Sequence, residues 1–326
     1  MITKTRKSLL ASLMLVGTLF IGTSVYAAEA AKEVAKDIVL KDDAKCTRCH
    51  DEADAPELLR IGKTKHGTRA DSRTPTCTNC HGDSKAHADH SGATTPPKTD
   101  LNFGKKSNAP ASARNEACLT CHQKDSSRHL WAGSIHETRD VACTSCHNIH
   151  GGHDKVRSKK TQPEVCFTCH KQQRIEANKP SHHPMLEGKV ACSDCHNSHG
   201  SAGPKLMKRD SVVDTCYTCH MEKRGPFVHN HEPVNEDCGN CHNPHGTTAE
   251  NLLKVRVPFL CHQCHTPHGG FIPQLRGAQV TAPTAAGNAK GTTNVTQGRA
   301  CMNCHTQVHG SNNPAATNPT PQFMLR

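Results

Sequence analysis

The chain has 326 residues, of which 34% are apolar and 3% aromatic, while 20 are cysteine and 26 histidine. Average domains carry about 45–50% apolar residues, and ordering the backbone costs about 1–2 kcal/mol per residue, so a conventional side-chain core is excluded and some other source of buried apolar surface is needed. The net charge is +11, but no run of five or six like charges and no aromatic stacking platform accompanies it, which argues against nucleic acid as a partner.

Residues 1–27 read as a secretory signal. Lys4, Arg6 and Lys7 form a basic start, residues 9–25 an apolar run, and Val25-Tyr26-Ala27 a small-residue cleavage site. A retained membrane anchor is the alternative, but Gly17, Thr18, Gly22, Thr23 and Ser24 interrupt the run. No other segment approaches the roughly 20 apolar residues of a membrane helix. The expected product is an exported chain. Cleavage removes three cations and no acid, so the charge of +11 falls to +8.

Past residue 45 one motif recurs ten times, Cys-x-x-Cys-His, the attachment signature of c-type haem. The cysteines form thioethers and the adjacent histidine reaches the iron. The sites are Cys46, Cys49, His50; Cys77, Cys80, His81; Cys118, Cys121, His122; Cys143, Cys146, His147; and Cys166, Cys169, His170. They continue with Cys192, Cys195, His196; Cys216, Cys219, His220; Cys238, Cys241, His242; Cys261, Cys264, His265; and Cys301, Cys304, His305. All 20 cysteines are used. A zinc ribbon or disulfide framework explains a single Cys-x-x-Cys, but not ten copies each followed by histidine. Ten porphyrins supply the missing apolar surface, and their propionates account for the cationic balance by pairing. The expected fold is a multihaem cytochrome c of short α-helices and irregular loops with little β, an elongated haem wire built from paired-haem repeats, and the apoprotein should be largely unfolded.

Odd and even motifs pair, and the middle of the chain repeats at a period near 45–50 residues. Residues 91–116 and 271–300 read as loops by composition, and residues 311–326 as a poorly ordered tail. The haem count divides the chain after the signal into two pentahaem halves, 28–175 and 176–326.

Sixteen histidines remain after the ten proximal ones. His87, His150, His199, His245 and His309 follow even motifs, and the last four precede glycine. They lie too near their own motif to fold back onto the same iron, so each is expected on a neighbouring haem, the glycine permitting close approach to a flat macrocycle. His66, His136, His183 and His231 precede even motifs, and His268 follows the ninth. That makes ten distal candidates. His182 competes with His183, and His229 with His231, on spacing alone; these two rivals, with His90, His129, His153 and His262, are otherwise read as surface histidines. Methionine does not recur with the repeat. Uniform bis-His, low-spin haems of low potential follow, with no open iron for a substrate and no catalytic residue.

With the ten motifs, the pairs and this ligand pattern, the sequence resembles the periplasmic decahaem cytochromes of Mtr-type outer-membrane porin–cytochrome conduits. The resemblance covers nearly the whole chain after residue 27 and is carried by residues 191–200 (ACSDCHNSHG), 214–226 (DTCYTCHMEKRGP) and 298–312 (GRACMNCHTQVHGSN), with His136 seven residues before Cys143. It favours His183 and His231 in the two ties. It implies a periplasmic wire seated in an outer-membrane β-barrel porin, an extracellular multihaem cytochrome at the far end, and periplasmic or inner-membrane cytochromes at the near end. The implied role is electron transfer across the outer membrane to Fe(III) or Mn(IV) or extracellular dimethyl sulfoxide reductase, or inward from Fe(II). Alternatives are a free periplasmic shuttle for a soluble reductase, or a haem reductase.

Overall fold

The computed structural model describes residues 43–67, 73–265, 301–302 and 305–313. The expected signal, the 271–300 loop, Cys304 and His268 lie outside these residues. Among the described residues there are no strands, only four isolated bridges between short segments. The helices run from three or four residues up to the 12 of Ala111–His122. Helices this short are marginal by themselves, so what holds each one matters more than its propensity.

The commonest helix is the motif itself. In eight motifs the histidine amide donates to the carbonyl of the first cysteine, at 2.7–3.1 Å. In the other two the motif lies inside Cys77–His81 and Ala111–His122. One helical turn brings residues i, i+3 and i+4 onto one face, so both cysteines and the histidine project together.

Pairs of motifs are clamped by a buried polar side chain. Asn115, three residues before Cys118, accepts from the Cys143 amide at 2.7 Å and donates to the Val141 carbonyl at 3.1 Å. Asp43, three before Cys46, accepts from the Cys77 amide at 2.7 Å. Gln162, four before Cys166, accepts from the Ser193 amide at 2.9 Å. All three are buried. Each ties the start of an even motif to the helix carrying the odd one.

The third and fourth pairs repeat one another at their ends. The Asn197 amide donates to Leu206 and the Asn243 amide to Leu252, both at 2.8 Å; Lys208 returns to the Cys195 carbonyl and Lys254 to that of Cys241, at 2.9 and 2.8 Å. Conventional core is scarce. Half of the buried hydrophobics are alanines, and Phe167, Ala177 and Met185, with Val190 against them, form the one cluster among the described residues.

Two sequence expectations change. The loop expected over 91–116 ends at Pro110, whose extended backbone starts the helix Ala111–His122; residues 111–116 are helical and carry the clamp Asn115. Ser311 does not begin a tail. It is 1% exposed and pairs with His229 through two backbone bonds of 2.9 and 3.0 Å. The division between 175 and 176 falls within the helix Lys171–Ala177, so it counts haem motifs and the backbone passes through it without a break.

Candidate haem sites

Two imidazoles on one metal, with nitrogen bonds of about 2.0–2.1 Å and about 1.1 Å from each nitrogen to its ring centre, hold their ring centres roughly 6.2–6.4 Å apart. Nine motif histidines meet a second histidine near that separation. His50 faces His87 and His122 faces His66, both at 5.9 Å. His81 faces His150, His147 faces His199, and His170 faces His136, each at 6.1 Å. His196 faces His245 at 6.2 Å and His220 faces His183 at 6.3 Å. His242 faces His309 at 6.1 Å and His265 faces His231 at 6.0 Å. Nine of the ten distal candidates are thus placed against a motif histidine; the tenth, His268, lies outside the described residues.

The pairing has a rule. Past the first pair, each histidine following an even motif faces the even motif of the preceding pair, and each histidine preceding an even motif faces the odd motif of the next pair. Consecutive pairs therefore exchange histidines in both directions. His87 is the exception, because it faces His50 inside its own pair.

Hydrogen bonds at Nδ1 orient these rings. His87, His136, His150, His183 and His231 bond the carbonyls of Pro97, Ser198, Leu58, Pro244 and Val308 at 2.7–2.9 Å. Of the motif histidines, His81, His196 and His242 bond the carbonyls of Leu101, Lys205 and Asn251 at 2.8–3.0 Å. An Nδ1–H bound in this way leaves Nε2 with its lone pair free for a metal. Three of the left-over histidines are tied differently. His90 and His229 use Nε2 on the carbonyls of Thr94 and Asn313 at 2.9 Å, and Nε2 of His182 lies 3.4 Å from Glu187. His182 also bonds a carbonyl, that of Lys179, through Nδ1; what sets His183 and His231 apart is that they face the motif histidines His220 and His265.

Two adjacent residues of one turn handle both exchanges. The Ser198 carbonyl holds His136 toward His170, while His199 faces His147. Pro244 and His245 do the same for His183 and His196. The glycine that follows also has a protein neighbour. Gly200 has φ +115°, and a side chain there would fall on the Leu130 carbonyl; Gly246 has φ +144° and sits against the Glu176 carbonyl. The close approach is to the backbone of the preceding pair.

Burial keeps His66, His81, His122, His170, His199, His242 and His245 below the usual imidazole range, and pushes His309 down to about 4. The neutral form so favoured is the one that binds a metal. The cysteines follow a second rule. First cysteines lie near enough within each pair to shift one another's ionisation: Cys46 with Cys77, Cys118 with Cys143, Cys166 with Cys192, Cys216 with Cys238, and Cys261 with Cys301. Second cysteines approach between pairs, close enough for one thiolate to repel the other: Cys80 with Cys121, Cys146 with Cys169, Cys195 with Cys219, and Cys241 with Cys264.

Residues 77–163 match the family of NrfB-like cytochrome c-type proteins, and residues 182–225 and 231–270 match the doubled CXXCH motif. The chain is 42% identical over 274 residues to the multiheme cytochrome MtrA of Shewanella baltica (strain OS185), spanning 83% of this chain and 78% of that protein. The chain belongs to the MtrA-like multihaem c-type cytochromes. It is also 30% identical over 148 residues to the cytochrome c-type protein NrfB of Haemophilus influenzae, 40% of this chain and 65% of that one.

An MtrA-like cytochrome is an electron carrier rather than an enzyme, and its Cys-x-x-Cys-His motifs bind c-type haem. The residues present fit that group on three counts. The thiols project beside a histidine from one turn, the facing imidazoles leave room for one metal, and two buried donors, Arg114 Nε and Trp131 Nε1, have no partner in the protein. Haem propionates are acceptors of the kind such donors lack. The clamps Asp43, Asn115 and Gln162 were not foreseen; the only signal is their position, three or four residues before an odd motif.

Proposed function

We propose that this cytochrome carries ten c-type haems, each with two axial histidines, and moves electrons across an outer membrane from within a β-barrel porin. The axial pairs are those facing at 5.9–6.3 Å, with His305 and His268 as the tenth. Each haem so held takes up and releases one electron at its iron. The chain's own part is to fix where the ten sites lie and to fill both axial positions, so that no iron is left open to a substrate.

The observation that carries this reading is the exchange of facing histidines between consecutive motif pairs, unbroken from the first pair to the fifth. Each pair therefore adjoins the next in chain order. A carrier that docks, reduces a partner and leaves needs a few close haems; a line of ten suits a crossing of the about 40–45 Å of bilayer with its headgroups. No helix among the described residues is long and apolar enough to cross a membrane, and a polar, loop-rich chain needs shielding from lipid, which a porin supplies. The resemblance to Mtr-type conduits supports a periplasmic location after removal of residues 1–27. It also supports an extracellular multihaem cytochrome, with Fe(III), Mn(IV) or Fe(II) beyond it, at one end and periplasmic or inner-membrane cytochromes at the other. The test is reconstitution with the co-purified barrel in liposomes loaded with a redox dye. Electron flow in both directions is expected, and the absence of any stable barrel complex overturns the conduit.

A further inference from the structure

Against the second, sixth and eighth motifs, the fourth is built differently. His81, His196 and His242 bond backbone carbonyls through Nδ1. His147 instead bonds the Asp154 carboxylate, Nδ1 to Oδ2, at 2.6 Å. The two side chains are only 27% and 17% exposed. The second oxygen, Oδ1, accepts from the Asn148 amide at 3.4 Å, and among the described residues no lysine or arginine pairs with this carboxylate. The nearest analogue, Asp125 beside His122, is neutralised by an ion pair with Arg128. His245 has Glu176 at 3.5 Å and His220 has Glu222 at 3.7 Å, both beyond good hydrogen-bond length.

A carboxylate on Nδ1 draws that proton toward itself, makes the imidazole a stronger donor and leaves a negative charge close to the metal. Both effects favour Fe(III) over Fe(II). The bond is also short and half-shielded from water, where charge acts most strongly. We propose that Asp154 is a potential-setting residue, which places the haem between His147 and His199 below its even-numbered siblings. The inference rests on the bis-His reading above. An electron moving along the line in either direction meets this haem as an interior uphill step, one electron and no proton, so Asp154 also limits flow through the wire.

The test is a potentiometric titration of the full-length holoprotein, followed by EPR, for the wild type, Asp154→Asn, Asp154→Glu and Asp125→Asn. In Asp154→Asn one of the ten one-electron components moves to higher potential while the other nine stay. The g-spread of the matching low-spin signal widens as imidazolate character is lost. Asp154→Glu keeps the carboxylate and restores the wild-type position, which a merely structural role would not do. Asp125→Asn gives the smaller shift, because Arg128 already offsets that charge. If every haem stays low-spin and no component moves in Asp154→Asn, the assignment is overturned. A high-spin haem in the wild type overturns the bis-His reading instead, so the two failures are distinguishable.

Discussion

At the scale of single residues, the site is decided by which imidazole nitrogen is free. His199 has its ring 6.1 Å from His147 and nearly parallel to it, at 8°. Replacing His199 by Ala is expected to turn one haem in ten high-spin, with a local rise in potential, read by EPR and near-infrared magnetic circular dichroism. His182→Ala and His229→Ala should leave every haem low-spin, since their Nε2 atoms are occupied elsewhere. The ring planes carry a second expectation. The pairs His66–His122 and His136–His170 stand nearly perpendicular, at 77° and 81°. Parallel imidazoles both donate into one iron d orbital and split it from its partner, whereas perpendicular rings leave the two nearly degenerate. EPR of the oxidised protein is therefore expected to show two highly anisotropic low-spin signals beside rhombic ones, and His66→Ala should abolish one of the two. The motif cysteines and histidines were fully legible in the sequence because the motif is local. The ties at 182/183 and 229/231 were not, because the rings that single out His183 and His231, those of His220 and His265, lie 37 and 34 residues further along the chain.

At the scale of elements, the turns after the sixth and eighth motifs do the organising. Each holds one histidine of the preceding pair by a carbonyl, sends its own histidine to another, and lays a glycine on that pair's backbone. Gly200→Ala should therefore cost more than Gly133→Ala. Both have positive φ, a strain of about 1–2 kcal/mol for a residue with a Cβ. Only Gly200 would also drive that Cβ into a carbonyl, while Gly133 has nothing within 4 Å. The comparison is read as the loss in thermal midpoint of the two holoproteins; equal losses would remove the packing role. The sequence pattern showed that a glycine was needed there, but not its protein neighbours. Leu130 and Glu176 lie about 70 residues upstream, beyond what local spacing can indicate. The clamps were hidden for another cause. Asp, Asn and Gln do the same job at nearly the same place, so no single residue type repeats.

At the scale of the whole molecule, alanine-dominated burial and a single small cluster mean that side chains alone do not hold this fold. The composition foretold as much, and short helices with few bridges are what it implied. What composition could not convey is the exchange of histidines between neighbouring pairs, since that depends on which pairs touch. One consequence is measurable. A chain ending at residue 212 keeps six motifs but lacks His245, the partner of His196. It is expected to hold six haems, one of them high-spin. Six low-spin haems would show that the sixth iron finds its ligand elsewhere.

The same exchange sets a schedule for biogenesis. A chain exported from its N-terminus delivers the second, fourth, sixth and eighth motifs before the histidines proposed to close them. On that reading each of the first four pairs would present one unsealed iron, able to bind carbon monoxide, until the next pair arrives. The first haem escapes this wait because His87 comes from its own pair. A cytochrome stalled before its last pair is therefore expected to carry one high-spin iron in its last complete pair, read by carbon monoxide binding.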